Sequence, residues 1–138
     1  DATVDSLSES WRDDVEAANC GKPINVVFDP VGGTVTDTAF RSLAWGGRHL
    51  VIGFVGGIAS LRTNLPLLKG ASLVGVDIRQ FEIFEPQAYT ANLARIFELA
   101  AGGVLAPAIA QRFPLREFAS AMTAVTKGNS VGRIVLIP

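Results

Sequence analysis

Ile24-Asn25-Val26-Val27-Phe28-Asp29-Pro30-Val31-Gly32-Gly33 reads as an apolar, β-branched strand that breaks abruptly into a glycine turn. The same grammar returns at Leu50-Val51-Ile52-Gly53-Phe54, with Gly56-Gly57 close behind, and again at Leu73-Val74-Gly75-Val76. Between these strands lie stretches with helical spacing. Strands alternating with helices predict βαβ units around a parallel sheet. The continuous apolarity of Leu50–Phe54 further predicts a strand buried on both faces.

The flanking segments follow the same logic. Trp11, Val15 and Ala18 share one helical face, Ser10 with Asp13 makes a capping-box-like start, and Gly21 and Pro23 stop the helix. Ala2-Thr3-Val4 reads as the middle of an earlier strand, so the chain is expected to lack a preceding piece. After Gly33 a second helix is predicted to place Val35, Ala39 and Leu43 inward and to end at Gly46-Gly47. Residues 55–69, including Asn64-Leu65-Pro66, read as a loop. The longest helix is expected over 87–101, with Tyr89, Leu93, Ile96, Phe97 and Ala100 as its stripe and Gly102-Gly103 closing it. Beyond Ala108-Ile109-Ala110, a last helix is expected to turn Leu115, Phe118, Met122 and Val125 inward. The chain finishes on a strand, Arg133–Ile137.

Composition narrows the function. Across 138 residues, 49% hydrophobic and 18% charged content excludes intrinsic disorder. Twelve basic and thirteen acidic residues leave no general polycation for nucleic acid. The charge is uneven: the first 37 residues carry 8 acids and 2 bases, the remainder 5 acids and 10 bases. That asymmetry suggests a face that meets an anion or an acidic partner. Cys20 is the only cysteine and His49 the only histidine, which excludes a cysteine-rich zinc site and an intrachain disulfide and fits a cytoplasmic, reducing setting. The longest apolar stretch, Leu50 to Leu61, is glycine-broken and far too short for a membrane span.

Chemistry concentrates at the strand ends. Ligands of open parallel sheets sit beyond the carboxyl ends of the strands, and a glycine there leaves room for a flat ring or ribose. The alternative is that Gly32-Gly33, Gly53, Gly56-Gly57 and Gly75 serve only to make turns. There is no phosphate-binding Gly-Lys-Ser/Thr loop, no His-Glu-x-x-His pair and no Gly-x-Ser-x-Gly elbow. His49, inside a strand signal, reads as a neutral, hydrogen-bonded structural residue. Asp29 fits an active-site carboxylate and a turn-forming Asp-Pro equally well.

In order along the chain, Val26–Gly33, Leu43-Ala44-Trp45-Gly46-Gly47-Arg48 with Leu50–Phe54, Asn64-Leu65-Pro66-Leu67-Leu68-Lys69, Leu73–Val76 and Gly132-Arg133-Ile134-Val135-Leu136 together resemble one family. It is the quinone oxidoreductase branch of the medium-chain dehydrogenases/reductases, and the resemblance covers the carboxyl-terminal part of such an enzyme. It implies an α/β fold: residues 1–85 as the second part of a nucleotide-binding Rossmann domain, a partial parallel sheet with flanking helices. Residues 86–138 would be the segment that returns to a GroES-like catalytic domain.

The resemblance also implies NADPH as cofactor, with NADH as the alternative. Val31 and Gly32 would lie under the nicotinamide and its ribose, and Gly53, Phe54 and Val55 would flank them. Val74, Gly75 and Val76 would offer backbone groups to the carboxamide, and Asn129 would approach from the catalytic-domain side. The activity implied is zinc-independent hydride transfer to a small quinone or enone, with the catalytic acid or base, if any, on an amino-terminal part. Homo-oligomers would form through the edge strand at Leu73–Val76, and neither nucleic acid nor membrane would be a partner. The alternatives are an enoyl-reductase domain of a polyketide or fatty-acid synthase, and a non-catalytic nucleotide-binding or assembly domain. No G-x-G-x-x-G loop occurs in the chain, so its own hold on the pyrophosphate is expected to be weak.

Overall fold

In the computed structural model, helix α1 (Trp11–Ala18) leads through a turn into strand β1 (Ile24–Asp29). Helix α2 (Val35–Arg41) carries the chain over to β2 (Leu43–Val51), and α3 (Asn64–Lys69) carries it on to β3 (Ser72–Gly75). The three strands are parallel in the order β1-β2-β3, each joined by the helical crossover that parallel pairing requires. Helix α4 (Ile78–Phe84) follows. The structure describes residues 2–138, and the chain divides into two compact units, Asp1–Phe84 and Glu85–Pro138.

The core of the first unit sits on one face of this sheet. Phe40 of α2, Leu43 of β2, Leu65 of α3 and Ala71 are buried together, with Val27 and Leu61 packed against them. Lys69, in the last turn of α3, donates from Nζ to the Leu43 carbonyl at 2.6 Å, tying the third helix to the start of the second strand.

The second unit is one βαβ unit preceded by a long helix. Helix α5 (Pro86–Ala101) ends at Gly102, and β4 (Ile109–Pro114) continues through a single 3-10 turn (Leu115–Glu117) into α6 (Phe118–Lys127). Strand β5 (Arg133–Ile137) then pairs parallel with β4. Among the described residues no helix is long and apolar enough to cross a membrane.

The sheet and the crossovers match the sequence-based expectation, but several local readings do not hold. Ala2-Thr3-Val4 has no regular structure. Ser10 makes no capping bond; its hydroxyl donates to Asp14 instead, at 3.2 Å. Helix α2 stops at Arg41 and buries Thr36 and Phe40, while Leu43 starts β2. Gly46 and Gly47 therefore lie within a strand. Ile24 pairs with Leu43 and Val26 with Arg48, so residues 44–47 bulge out of register, and the glycines permit that bulge.

Strand β2 ends at Val51, leaving Phe54 outside it and 67% exposed. Residues 64–69 are helical, where the internal proline had suggested a loop; Pro66 falls in the first turn, where no intrahelical N–H is needed. Helix α4 had no sequence-based counterpart. In the second unit Leu93, Ile96, Phe97, Leu115, Phe118, Met122 and Val125 are exposed, and α6 buries only Ala121.

Phe40 has no solvent exposure and centres the first unit's core. Phe40→Ala is expected to lower stability by about 3–5 kcal/mol. Urea unfolding followed by tryptophan fluorescence checks this, since Trp11 and Trp45 both report on that unit.

Candidate functional site at the carboxyl ends of the sheet

Register brings three strand ends level, with Asp29 opposite Val51 and Val51 opposite Gly75. The turns leaving β1 and β2 are bonded to each other. Ile52 N–H donates to the Asp29 carbonyl at 2.9 Å, and Gly56 N–H to the Val31 carbonyl at 2.7 Å. A β-carbon on Gly32 (φ +70°) would lie 2.7 Å from the Gly57 oxygen, and one on Gly53 would lie 2.9 Å from the Pro30 oxygen. Side chains are thus excluded at both positions by the packing of one turn on the other. Gly75 is different: a β-carbon there would meet nothing within 4 Å. Its missing side chain leaves open space beside the sheet end.

One carboxylate organises this region. Oδ1 of Asp29 accepts from the Val31 N–H at 3.0 Å and the Gly32 N–H at 2.8 Å. Oδ2 accepts from the Thr36 hydroxyl at 2.8 Å and pairs with His49 Nε2 at 3.0 Å. Burial pushes the Asp29 carboxyl up, but the bonds from Gly32, Thr36, His49 and Val31 outweigh it, holding the group below its ordinary value of 3.8. An ionised carboxylate only accepts, so His49 presents a protonated Nε2. Nδ1 of the fully buried His49 then has no hydrogen-bond partner among the described residues. The imidazole stacks on Phe40 with centroids 5.9 Å apart.

Of the residues singled out from sequence, Val31 and Gly32 lie in the turn after β1 and Gly53, Phe54 and Val55 in the turn after β2. Val74 and Gly75 end β3, with Val76 immediately beyond. The structure gathers these eight around one sheet edge. Val76 N–H is committed to the Val51 carbonyl at 3.0 Å and Gly53 N–H to that of Asp29 at 3.3 Å, so neither amide is available to a ligand. Asn129 belongs to the second unit, exposed in the segment before β5. Sequence reasoning left the Asp29–His49 pair and Thr36 unconnected. The register that places Val27 opposite His49 had no signal in composition or spacing.

A family model for zinc-binding dehydrogenases matches residues 1–136. Quinone oxidoreductase-like protein 2 of Bos taurus is 37% identical over 114 residues, covering 82% of this chain and 33% of that protein. A mycocerosic acid synthase-like polyketide synthase of Mycolicibacterium smegmatis is 27% identical over 133 residues, covering 96% of this chain and 6% of the synthase. A mycobacterial protein solved in complex with NADPH is 22% identical and shares the fold, with a TM-score of 0.75 over 92% of this chain and 40% of its own. The chain belongs to the zinc-binding dehydrogenase family, on the quinone oxidoreductase branch of its medium-chain members. It spans about a third of the length of its bovine relative.

The two groups associated with such a family fare differently against these residues. Among the described residues no three His, Cys, Asp or Glu side chains come together to hold a metal ion, and with His49 buried on Asp29 and Cys20 exposed, a zinc ligand set does not fit here. The chemistry of the other sheet end suits a nicotinamide ring instead: Val31, Phe54, Val55, Val74 and Val76 present exposed apolar surface at or just beyond the carboxyl ends of the three strands, and Gly75 adds no side chain there. A concavity of about 140 Å³ lies at the opposite end of the sheet and includes Arg12, Lys22, Arg41 and Lys69. There Arg41 is bonded to Asp37 at 2.6 Å and Lys69 to the Leu43 carbonyl, so two of the four cations serve the chain's own structure.

Because the folded-state value of Asp29 is depressed, its stabilising contribution is full above 3.8 and is lost as pH falls through the lower folded value. Urea midpoints should therefore drop between pH 5 and about pH 2 in the wild type. Asp29→Asn should be less stable at neutral pH by about 1–3 kcal/mol and should show a smaller acid-dependent drop. Parallel acid profiles of the two proteins would contradict this assignment.

Proposed function

We propose that this chain supplies the nicotinamide end of the cofactor site in an NADPH-dependent quinone or enone oxidoreductase. The observation that carries the reading is the level, glycine-opened and apolar-rimmed edge formed by Val31-Gly32, Gly53-Phe54-Val55 and Val74-Gly75-Val76. Family membership and the quinone oxidoreductase-like relatives support it. When bound, NADPH supplies the hydride, and the protein contributes binding, orientation and exclusion of water.

Each residue then has a definable task. The apolar side chains of Val31, Phe54 and Val55 shield the ring from water. The Phe54 and Val55 N–H groups have no carbonyl partner within the described residues and suit the carboxamide oxygen. Gly75 lets the ring approach the sheet end closely. Hydride transfer needs donor and acceptor at about 3–3.5 Å, so close seating of the ring sets the rate. In the same reading β3, an edge strand with Leu73 half exposed, is the surface for pairing with a second copy.

A second reading, an enoyl-reductase domain of a polyketide synthase, is favoured by the 27% identity to such a synthase. The acceptor separates the two. A chimaera with this chain in place of the matching third of the bovine relative should oxidise NADPH with 1,4-benzoquinone. Turnover with an enoyl thioester alone would select the synthase reading, and turnover with neither would refute both.

Lacking a G-x-G-x-x-G loop, the 138-residue chain alone should bind NADPH more weakly than micromolar in calorimetry, since helix-end amides normally hold the pyrophosphate. In the chimaera, Gly75→Val should reduce turnover by about 100-fold or more, because a ring displacement of about 1 Å suffices for that loss. The melting temperature should barely move, as valine suits a strand and the space is open. Unchanged turnover would place Gly75 away from the ring.

A further inference from the structure

We propose that His49 is a positioning residue for the Val31-Gly32 turn, acting through the carboxylate of Asp29; the proposal rests on the cofactor reading above. His49 stands two residues before the end of β2, fully buried, and nothing in hydride chemistry uses it. Its Nε2 reaches Asp29 Oδ2 at 3.0 Å, alongside the Thr36 hydroxyl at 2.8 Å. Two donors on Oδ2 fix the rotation of the carboxyl group. The other oxygen, Oδ1, is thereby aimed at the N–H groups of Val31 and Gly32.

A purely structural role would not favour histidine at this position. Leucine or methionine would fill comparable space beside Phe40 without burying a nitrogen that finds no partner, and an unpaired buried polar atom is costly. The unpaired Nδ1 is the cost of holding an N–H at Nε2. That proton comes from a strand, whose position is set by pairing on both sides, with Val27 and with Leu73. The sheet thus dictates the orientation of the carboxylate, and the carboxylate dictates the turn on which the ring would rest. Thr36 holds the same oxygen from α2, so removing His49 loosens the turn without releasing it.

Two variants separate this from core packing. His49→Gln places an amide nitrogen the same number of bonds from the backbone as Nε2 and can donate to Asp29. His49→Leu fills the space but donates nothing. In the 138-residue chain, hydrogen exchange of the Val31 and Gly32 amides should quicken about tenfold in His49→Leu and return to within about threefold of wild type in His49→Gln. Titration with millimolar NADPH, followed through amide shifts, should show weakened binding in His49→Leu and recovery in His49→Gln.

Equal exchange in all three proteins would overturn the positioning role. Absence of NADPH-induced shifts in the wild type would instead refute the cofactor reading, leaving exchange to decide the role of His49. Should His49→Leu fail to fold, nitrogen-15 shifts of the wild-type imidazole still decide. A protonated Nε2 with a bare Nδ1 supports the proposal, and the opposite tautomer defeats it.

Discussion

The carboxylate of Asp29 is the constraint on which the functional end of this chain depends. It accepts from the turn after β1, from the first turn of α2 and from His49 near the carboxyl end of β2, using both oxygens. A buried charge is tolerated only when its lone pairs are satisfied, and here four donors satisfy them. Because the donors belong to three different elements, satisfying the charge also fixes those elements relative to one another. The carboxylate thus adds to the backbone bonds that already join the Pro30–Gly33 turn to the Gly53–Gly57 turn.

From that fixed point the rest of the edge follows. Parallel pairing makes Asp29, Val51 and Gly75 end level, and Val76 N–H on the Val51 carbonyl carries the alignment one residue past the sheet. Glycine then plays two separate parts. Gly32 and Gly53 are demanded by backbone packed on backbone, whereas Gly75 faces open space. Making turns accounts for Gly32 and Gly53. Room for a ligand is the role proposed for Gly75.

Much of the fold was legible because strands broken by glycine and separated by helical spacing have few alternatives. Strand β1 and the final strand lie where the residues indicate, and the parallel order follows from the crossovers. Errors arose where tertiary pairing overrode local spacing. Leu43 satisfies a helical stripe with Val35 and Ala39, yet pairing with Ile24 draws it into β2. Helix 64–69 was hidden by a proline that is harmless in a first turn. Amphipathic spacing in α6 marked Phe118 and Met122 as inward, but within its unit that helix buries Ala121. At the site, the eight residues of the sheet edge come together as their order along the strands implies. The Asp29–His49 contact was illegible, because twenty residues separate the partners and only strand register joins them.

The central claim is that the nicotinamide of NADPH seats on this sheet edge. Intermolecular nuclear Overhauser effects between the ring protons of NADPH and the 138-residue chain test it most directly. The account predicts contacts from the ring to Val31, Phe54, Val55 and the Gly75 α-protons, with none to Arg12 or Lys22 at the other end of the sheet. Ring contacts confined to the basic concavity, or scattered over both ends, would contradict it.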